Sequence, residues 1–182
     1  PRTDFGQVIV NKGTSQATTL TVNIGGTLNT PTNNWLTLQN GTLIYQRTGD
    51  LSITTTSTFT MPGTSGLQIN TPSNVYIARS NVNSNDFYLN GKLTVISGTV
   101  YVGREAGTDA NNNDIEYGGG GLSEIDMQGG TLMVNGQIRM NTASTAGVLK
   151  YRQSGNSRVI INGQAAINTK ANLEVYNHGS VF

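Results

Sequence analysis

Apolar residues recur along the chain in pairs that flank one polar or tyrosine residue and precede a turn. Val75-Tyr76-Ile77 and Val100-Tyr101-Val102 show the unit clearly. Because β-strand side chains alternate between two faces, each unit predicts a short strand with two inward side chains. The same unit occurs at Leu36-Thr37-Leu38, Leu43-Ile44-Tyr45, Leu51-Ser52-Ile53, Leu67-Gln68-Ile69, Phe87-Tyr88-Leu89, Leu93-Thr94-Val95, Ile125-Asp126-Met127, Leu132-Met133-Val134, Ile138-Arg139-Met140 and Leu173-Glu174-Val175. No glycine-free window of about 12 residues has helical apolar spacing, so the chain is predicted to be all-β.

Turn signals recur between these strands. Asn-Gly pairs stand at Asn40-Gly41, Asn90-Gly91, Asn135-Gly136 and Asn162-Gly163, and Gly-Thr-Leu or Gly-Thr-Val begins at Gly26, Gly41, Gly98 and Gly130. Strands with only two inward residues cannot build a deep core alone, but they can stack coil upon coil. This favours a right-handed parallel β-helix with about 23 residues per coil and roughly eight coils. The alternative is an antiparallel β-sandwich, since Asn-Gly is also a favoured hairpin turn.

The pattern runs through residues 1–182 as a single segment, with an irregular or capping region over residues 1–30. It opens in mid-pattern at Pro1 and stops at Val181-Phe182, where another strand begins. We therefore interpret the sequence as a piece of a longer chain.

Two stretches resemble the Ser-Gly-Gly-Thr-Leu repeats of secreted bacterial β-helix proteins. They are Ser97-Gly98-Thr99-Val100-Tyr101-Val102-Gly103 and Met127-Gln128-Gly129-Gly130-Thr131-Leu132-Met133-Val134-Asn135-Gly136. Autotransporter passenger domains and large surface adhesins carry such repeats, on the same superfold as pectate lyases. The resemblance is best over residues 85–180, and it implies a secreted or cell-surface protein. It does not identify a ligand, because one fold serves many functions.

Composition and charge exclude several function classes. Eleven basic and ten acidic residues give a net charge of +1, which offers no electrostatic attraction to nucleic acid or to an anionic membrane. No apolar run approaches the roughly 20 residues of a membrane-spanning helix. The chain has no cysteine, so disulfides and thiolate metal sites are impossible. The single histidine, His178, cannot form a catalytic triad without partners from elsewhere.

A candidate calcium loop lies at residues 108–116. Asp109, Asn111 and Asn113 fall at alternate positions, and Asp114 and Glu116 add carboxylates. Hard oxygen ligands at alternate loop positions are what Ca²⁺ prefers. The spacing departs from a complete calcium loop, because the sixth position is Asp114 where glycine is needed and the twelfth is Gly120 where glutamate is needed. The alternative is an Asx-rich loop without metal, and no other cofactor is expected.

Tyr76 and Tyr101 are the candidate ligand-binding residues. Each is the central residue of an apolar unit, so each is predicted to point outward, and their separation in the sequence is about one coil. An aromatic pair on a flat β surface could bind a sugar ring or a partner protein. The alternative is a cross-strand aromatic ladder that only stabilises the sheet.

Charged residues near the C-terminal half form the last candidate group. Asp126 and Arg139 are predicted to face solvent, while Glu124 is expected on the face opposite Asp126. A lyase of this superfold would need several carboxylates converging on one wall, and ordinary surface ion pairs explain the group more simply. We therefore expect a non-enzymatic structural or adhesive segment of a bacterial surface protein, with a glycan or protein ligand. The alternative function is a fragment of a polysaccharide lyase or glycoside hydrolase.

Overall fold

The computed structural model describes residues 2–4, 6–24, 27–29, 34–54, 57–79, 82, 84–103, 113–119, 122–141, 143–144, 147–161 and 172–178. Within these ranges the regular elements are strands only. They are β1 (Arg2–Asp4), β2 (Val8–Asn11), β3 (Thr19–Val22), β4 (Thr27–Asn29), β5 (Leu36–Tyr45), β6 (Leu51–Ser52), β7 (Phe59–Met61), β8 (Ser65–Ile77), β9 (Phe87–Leu89), β10 (Lys92–Val102), β11 (Ile115–Tyr117), β12 (Leu122–Met127), β13 (Thr131–Val134), β14 (Ile138–Met140), β15 (Val148–Ser154), β16 (Arg158–Ile161) and β17 (Asn172–His178).

Each described strand pairs in parallel with its counterpart one coil away, which makes the chain a parallel β-helix. The stacked strands form three faces of a rod. Face one contains residues 19–22, 41–45, 65–69, 92–95, 122–127, 148–154 and 172–178. Face two contains residues 51–52, 74–77, 99–102, 131–134 and 158–161. Face three contains residues 59–61, 87–89, 115–117 and 138–140.

The antiparallel sandwich is therefore wrong, since every described pairing is parallel. The two long strands β8 and β10 bend from face one onto face two, and their mutual register shifts at that corner, between Val95 and Thr99. Pro72 lies at this corner of β8, where the ladder is interrupted and a missing N–H is tolerated.

The solenoid has slightly fewer coils than the roughly eight predicted, since seven described strands stack on face one. Register shows why: Leu67 pairs with Leu93 and Leu93 pairs with Ile125, so both coils are longer than the estimate and they differ in length. The loops at the corners between faces account for the difference in length between the two coils. Strands β1–β4 lie in the stretch that was expected to be irregular or capping. They pair in parallel with each other or with β5, so ordered coil structure begins there.

The rod interior is built from the predicted apolar pairs. In ten of the predicted units both flanking residues are at most 3% exposed, as are Leu67 and Ile69 in one unit and Val100 and Val102 in another. In the unit that begins at Ile138 the two flanking residues are at most 7% exposed. The unit at Leu173 lies in β17, whose side chains are outside the described set. In-register stacking places inward residues against their counterparts in the next coil, so among the described side chains one buried apolar core extends from Val10 to Tyr151.

Candidate functional site

Tyr76 and Tyr101 lie side by side on face two, as their spacing in the sequence predicts. They are direct register partners, and their rings stack with centroids 5.1 Å apart and planes inclined by 16°. The guanidinium carbon of Arg79 lies 4.3 Å from the Tyr76 ring centroid. These contacts leave Tyr76 only 6% exposed, and Tyr101 is the more exposed of the two.

This geometry favours the stabilising ladder as the role of the pair. A sugar ring stacks on an aromatic face, but Tyr101 and Arg79 already pack against Tyr76. The ladder continues with Met133 and Ile160, the next register partners on the same face. Ligand binding at Tyr76 and Tyr101 stays a prediction, and Tyr101 is the more accessible of the two residues to a ligand.

The candidate calcium loop is only partly described. Asp109 and Asn111 lie outside the described residues. Asn113 and Asp114 lie just before β11 on face three, and Glu116 lies within that strand. The Asn113 amide nitrogen donates to the carbonyls of Val82 and Asn85, at 3.0 and 2.7 Å. Among the described residues no group of three or more acidic, histidine or cysteine side chains could hold a metal ion. Calcium binding stays a prediction.

The carboxylates of Asp114 and Glu116 instead share one cation, Arg139. Its Nε atom lies 2.5 Å from Asp114 Oδ2 and its Nη2 atom lies 2.5 Å from Glu116 Oε1. Glu116 also accepts a hydrogen bond from the Asn141 amide at 2.6 Å. Asp114 is 1% exposed and Glu116 5% exposed, so these carboxylates depend on the guanidinium for their charge balance.

Asp86 joins this group from the preceding coil. It lies just before β9, as Asp114 lies just before β11, and its Oδ1 atom accepts a hydrogen bond from the Asp114 backbone N–H. The same contact between a side-chain oxygen and a backbone N–H recurs in the neighbouring coils. One coil earlier the Thr58 hydroxyl accepts from the Asp86 N–H, and one coil later the Asp114 carboxylate accepts from the Gln137 N–H. We call Thr58, Asp86, Asp114 and Gln137 the corner ladder. It satisfies backbone donors that the strands leave unpaired.

Two carboxyl groups of this cluster hold their protons more tightly than usual. Burial raises the pKa of Asp86 to about 6, helped by the negative charges of Asp114 and Glu116. Burial also raises the pKa of Glu116, although the Arg139 guanidinium opposes the rise. Three carboxylates and an arginine therefore converge on face three, an arrangement that the sequence did not predict.

Face one carries a second charged group. Lys92 Nζ lies 3.1 Å from Glu124 Oε1 and 3.0 Å from Asp126 Oδ2, and Arg152 Nη1 lies 3.1 Å from the same Glu124 oxygen. Glu124 and Asp126 therefore share one face, and the expectation of opposite faces is wrong, because residues two apart in a strand point the same way. The column Lys92, Glu124, Lys150 alternates in sign from one coil to the next.

Sequence reasoning missed Asp86 as a member of the face-three group, although a signal was present. Asp86-Phe87 and Asp114-Ile115 have the same acidic residue immediately before the first inward residue of a face-three strand. Once the coils are aligned on Phe87 and Ile115, which are register partners, Asp86 must lie beside Asp114. The full coil that separates the two residues hides this relationship in the linear sequence.

No described helix could cross a membrane. No family model, no curated protein and no solved structure matches the chain.

Proposed function

We propose that the chain is a stiff structural segment of a secreted or surface-exposed bacterial protein, which holds distance and presents a surface for adhesion. The observation that carries the proposal is the unbroken stacking of inward columns from coil to coil. Stacked tyrosines, ion pairs and the corner ladder add side-chain links along the same direction. Hydrogen bonds and packing that join every described coil to the next resist bending of the rod, which is what a stalk needs.

The surface location draws support from the sequence. The stretches at residues 97–103 and 127–136 resemble the glycine-rich repeats of secreted bacterial β-helix proteins. The outer faces of the chain offer ordered polar and aromatic side chains at repeated spacing, which suits a glycan or protein ligand.

The location is tested on cells that make the protein. An antibody against the chain is expected to label intact, unpermeabilised cells, and protease added outside should remove the label. Labelling that needs prior permeabilisation would contradict the proposal. Replacing the segment with a Gly-Ser linker of equal residue number should turn a fixed spacing of about 30 Å into a broad distribution of distances with an r.m.s. value of about 70–80 Å, measured between labels placed at the two ends. A distribution as narrow as that of the parent would contradict the role as a stiff rod.

A carbohydrate-active enzyme is the second candidate, favoured by the convergence of Asp86, Asp114, Glu116 and Arg139. A carboxyl group with a pKa near 6 can act as a general acid, and a neighbouring carboxylate can act as a base. Reducing-end or unsaturated-product assays on neutral and uronate polysaccharides, with and without Ca²⁺, test this. Product release that is lost in Glu116→Gln would replace the adhesive proposal with an enzymatic one.

A further inference from the structure

A groove of about 320 Å³ crosses face one beside Gly66. Thr42 and Lys92 line it, and they are the register partners of Gly66 in the strands before and after. Gly66 has no side chain, and the Thr42 side chain covers it, since a Cβ atom at Gly66 would lie 2.6 Å from the Thr42 hydroxyl oxygen and 3.3 Å from its methyl carbon. The lack of a side chain at Gly66 therefore lets Thr42 take its place along the groove.

The segment 12–18 forms one wall of the groove and is fixed in place. The Thr42 hydroxyl donates to the Gln16 carbonyl at 2.7 Å, and the Gln16 amide nitrogen donates to the Gly63 carbonyl at 2.9 Å. The Thr18 hydroxyl also donates to the Lys12 carbonyl and closes the segment. A ligand would consequently meet a preformed wall and would not have to order it.

The lining is polar, and it both donates and accepts hydrogen bonds. Gln16, Gln68 and Gln128 contribute carboxamides, while Thr42 and Thr94 contribute hydroxyls. The amide nitrogens of Gln16 and Gln128 each already donate one bond, to the Gly63 carbonyl and to Asp126 Oδ2, and each has a second N–H. Amides and hydroxyls can each supply a donor and an acceptor, which matches a ligand made of hydroxyl groups. No aromatic side chain is among the described residues that line this groove, so binding there depends on hydrogen bonds and is expected to be weak.

The charges around the groove are paired and do not favour an acidic ligand. Burial lowers the pKa of Lys92, but the bonds of its ammonium to Asp126 and Glu124 outweigh burial and raise that pKa overall. An ammonium has three N–H donors, so one remains for a ligand hydroxyl. Lys92 and Arg152 together balance the carboxylates of Glu124 and Asp126, so this group offers no excess positive charge to a uronate or sulfate group.

We propose that the groove between Thr42 and Lys92 binds a neutral saccharide unit of a glycan, through the carboxamides of Gln16, Gln68 and Gln128. This deepens the proposed function, since it names the ligand class and the place where an adhesive rod would hold it. The groove is open on its outer side, so it accepts a unit within a chain as well as a chain end.

The test is a titration followed by NMR of the glutamine side-chain amides. The probes are cellotriose, mannotriose, maltotriose and chitotriose as neutral arms, with trigalacturonate as the acidic arm. We expect at least one neutral trisaccharide to shift the amide signals of Gln68 and Gln128 at millimolar concentration. Gln68→Ala should weaken that binding about three- to tenfold, the worth of one neutral hydrogen bond. Gln39→Ala is the matched control, because this glutamine is exposed outside the groove.

Gly66→Ala gives a second, steric test. A Cβ atom at this position would lie 2.6 Å from the Thr42 hydroxyl oxygen, so it must displace the Thr42 side chain, which lines the groove and holds the Gln16 carbonyl. Binding should fall at least as far as in Gln68→Ala. If Gly66→Ala does not fold, Gln68→Ala decides the matter alone. The proposal is overturned if no neutral probe shifts the amides up to about 10 mM, if Gln68→Ala binds as well as the parent, or if only trigalacturonate binds. None of these outcomes affects surface display, so the proposal of a surface stalk is tested separately, by the antibody labelling of intact cells.

Discussion

Asp86 accepts a hydrogen bond at its Oδ1 atom from the backbone N–H of Asp114, 2.8 Å away and one coil further along the rod. A carboxyl group that is only 5% exposed thus serves as a structural acceptor. The bond needs an oxygen atom but does not need a negative charge. This distinction gives the first prediction.

Stability should fall as the pH rises through the titration of Asp86. Its pKa is about 6 in the folded chain against an ordinary value of 3.8, so the folded state binds more protons between about pH 4 and 6. The free energy of unfolding should therefore decrease across that window, by up to about 3 kcal/mol from this group. The raised pKa of Glu116 acts in the same direction.

Asp86→Asn isolates the effect, because the amide keeps an acceptor oxygen and cannot ionise. Denaturant melts at pH 4, 6 and 8 should show a flatter pH profile for this variant and greater stability than the parent at pH 8. An unchanged profile would mean that Asp86 is already protonated or freely hydrated.

Removal of Arg139 should be far more damaging than removal of Arg152. Arg139→Met leaves the carboxylates of Asp114 and Glu116 buried without their cation, which costs about 3–5 kcal/mol. Arg152→Met is the matched control, because Arg152 is 40% exposed and its pairing with Glu124 is worth about 0–1 kcal/mol. Chemical denaturation at neutral pH measures both, and equal losses would show that the face-three cluster is well hydrated.

The stacking of Tyr76 on Tyr101 should be measurable as an interaction free energy between the two side chains. A double-mutant cycle with Tyr76→Ala and Tyr101→Ala is expected to give about 0.5–1.5 kcal/mol of interaction, and Tyr76→Ala alone about 3 kcal/mol. Tyr101→Phe keeps the ring and should change stability much less than Tyr101→Ala. Additive single effects would show that the rings do not interact, and the stack would lose its stabilising role.

Gly91 should not accept a side chain. A Cβ atom there would overlap the Ser65 carbonyl oxygen and lie 2.5 Å from the Pro62 carbonyl oxygen, both of them backbone atoms of the preceding coil. Gly91→Ala is expected to cost about 1–3 kcal/mol or more. Gly6→Ala, where nothing lies within 4 Å, should stay within about 0.5 kcal/mol of the parent. Thermal melts of the two variants compare the positions directly.

The fold could be predicted from sequence because its information is local. Each pair such as Leu93 and Val95 fixes a strand and its inward face, and in-register stacking follows once many such pairs exist. The number of coils depends on corner lengths, and nothing in the apolar pattern shows that the register partner of Leu93 in the next coil is Ile125. The Asp86, Asp114 and Arg139 cluster and the groove between Thr42 and Lys92 depend on exact register between coils, so the sequence did not reveal them.

The direction of the hydrogen bonds has a mechanical consequence. Strand pairing joins each coil to the next, so a force applied along the rod pulls on the bonds of one coil at a time. Under tension the chain should unwind from its ends in steps. The coil from Leu67 to Leu93 would release about 90 Å of extended chain, while the remaining coils stay wound.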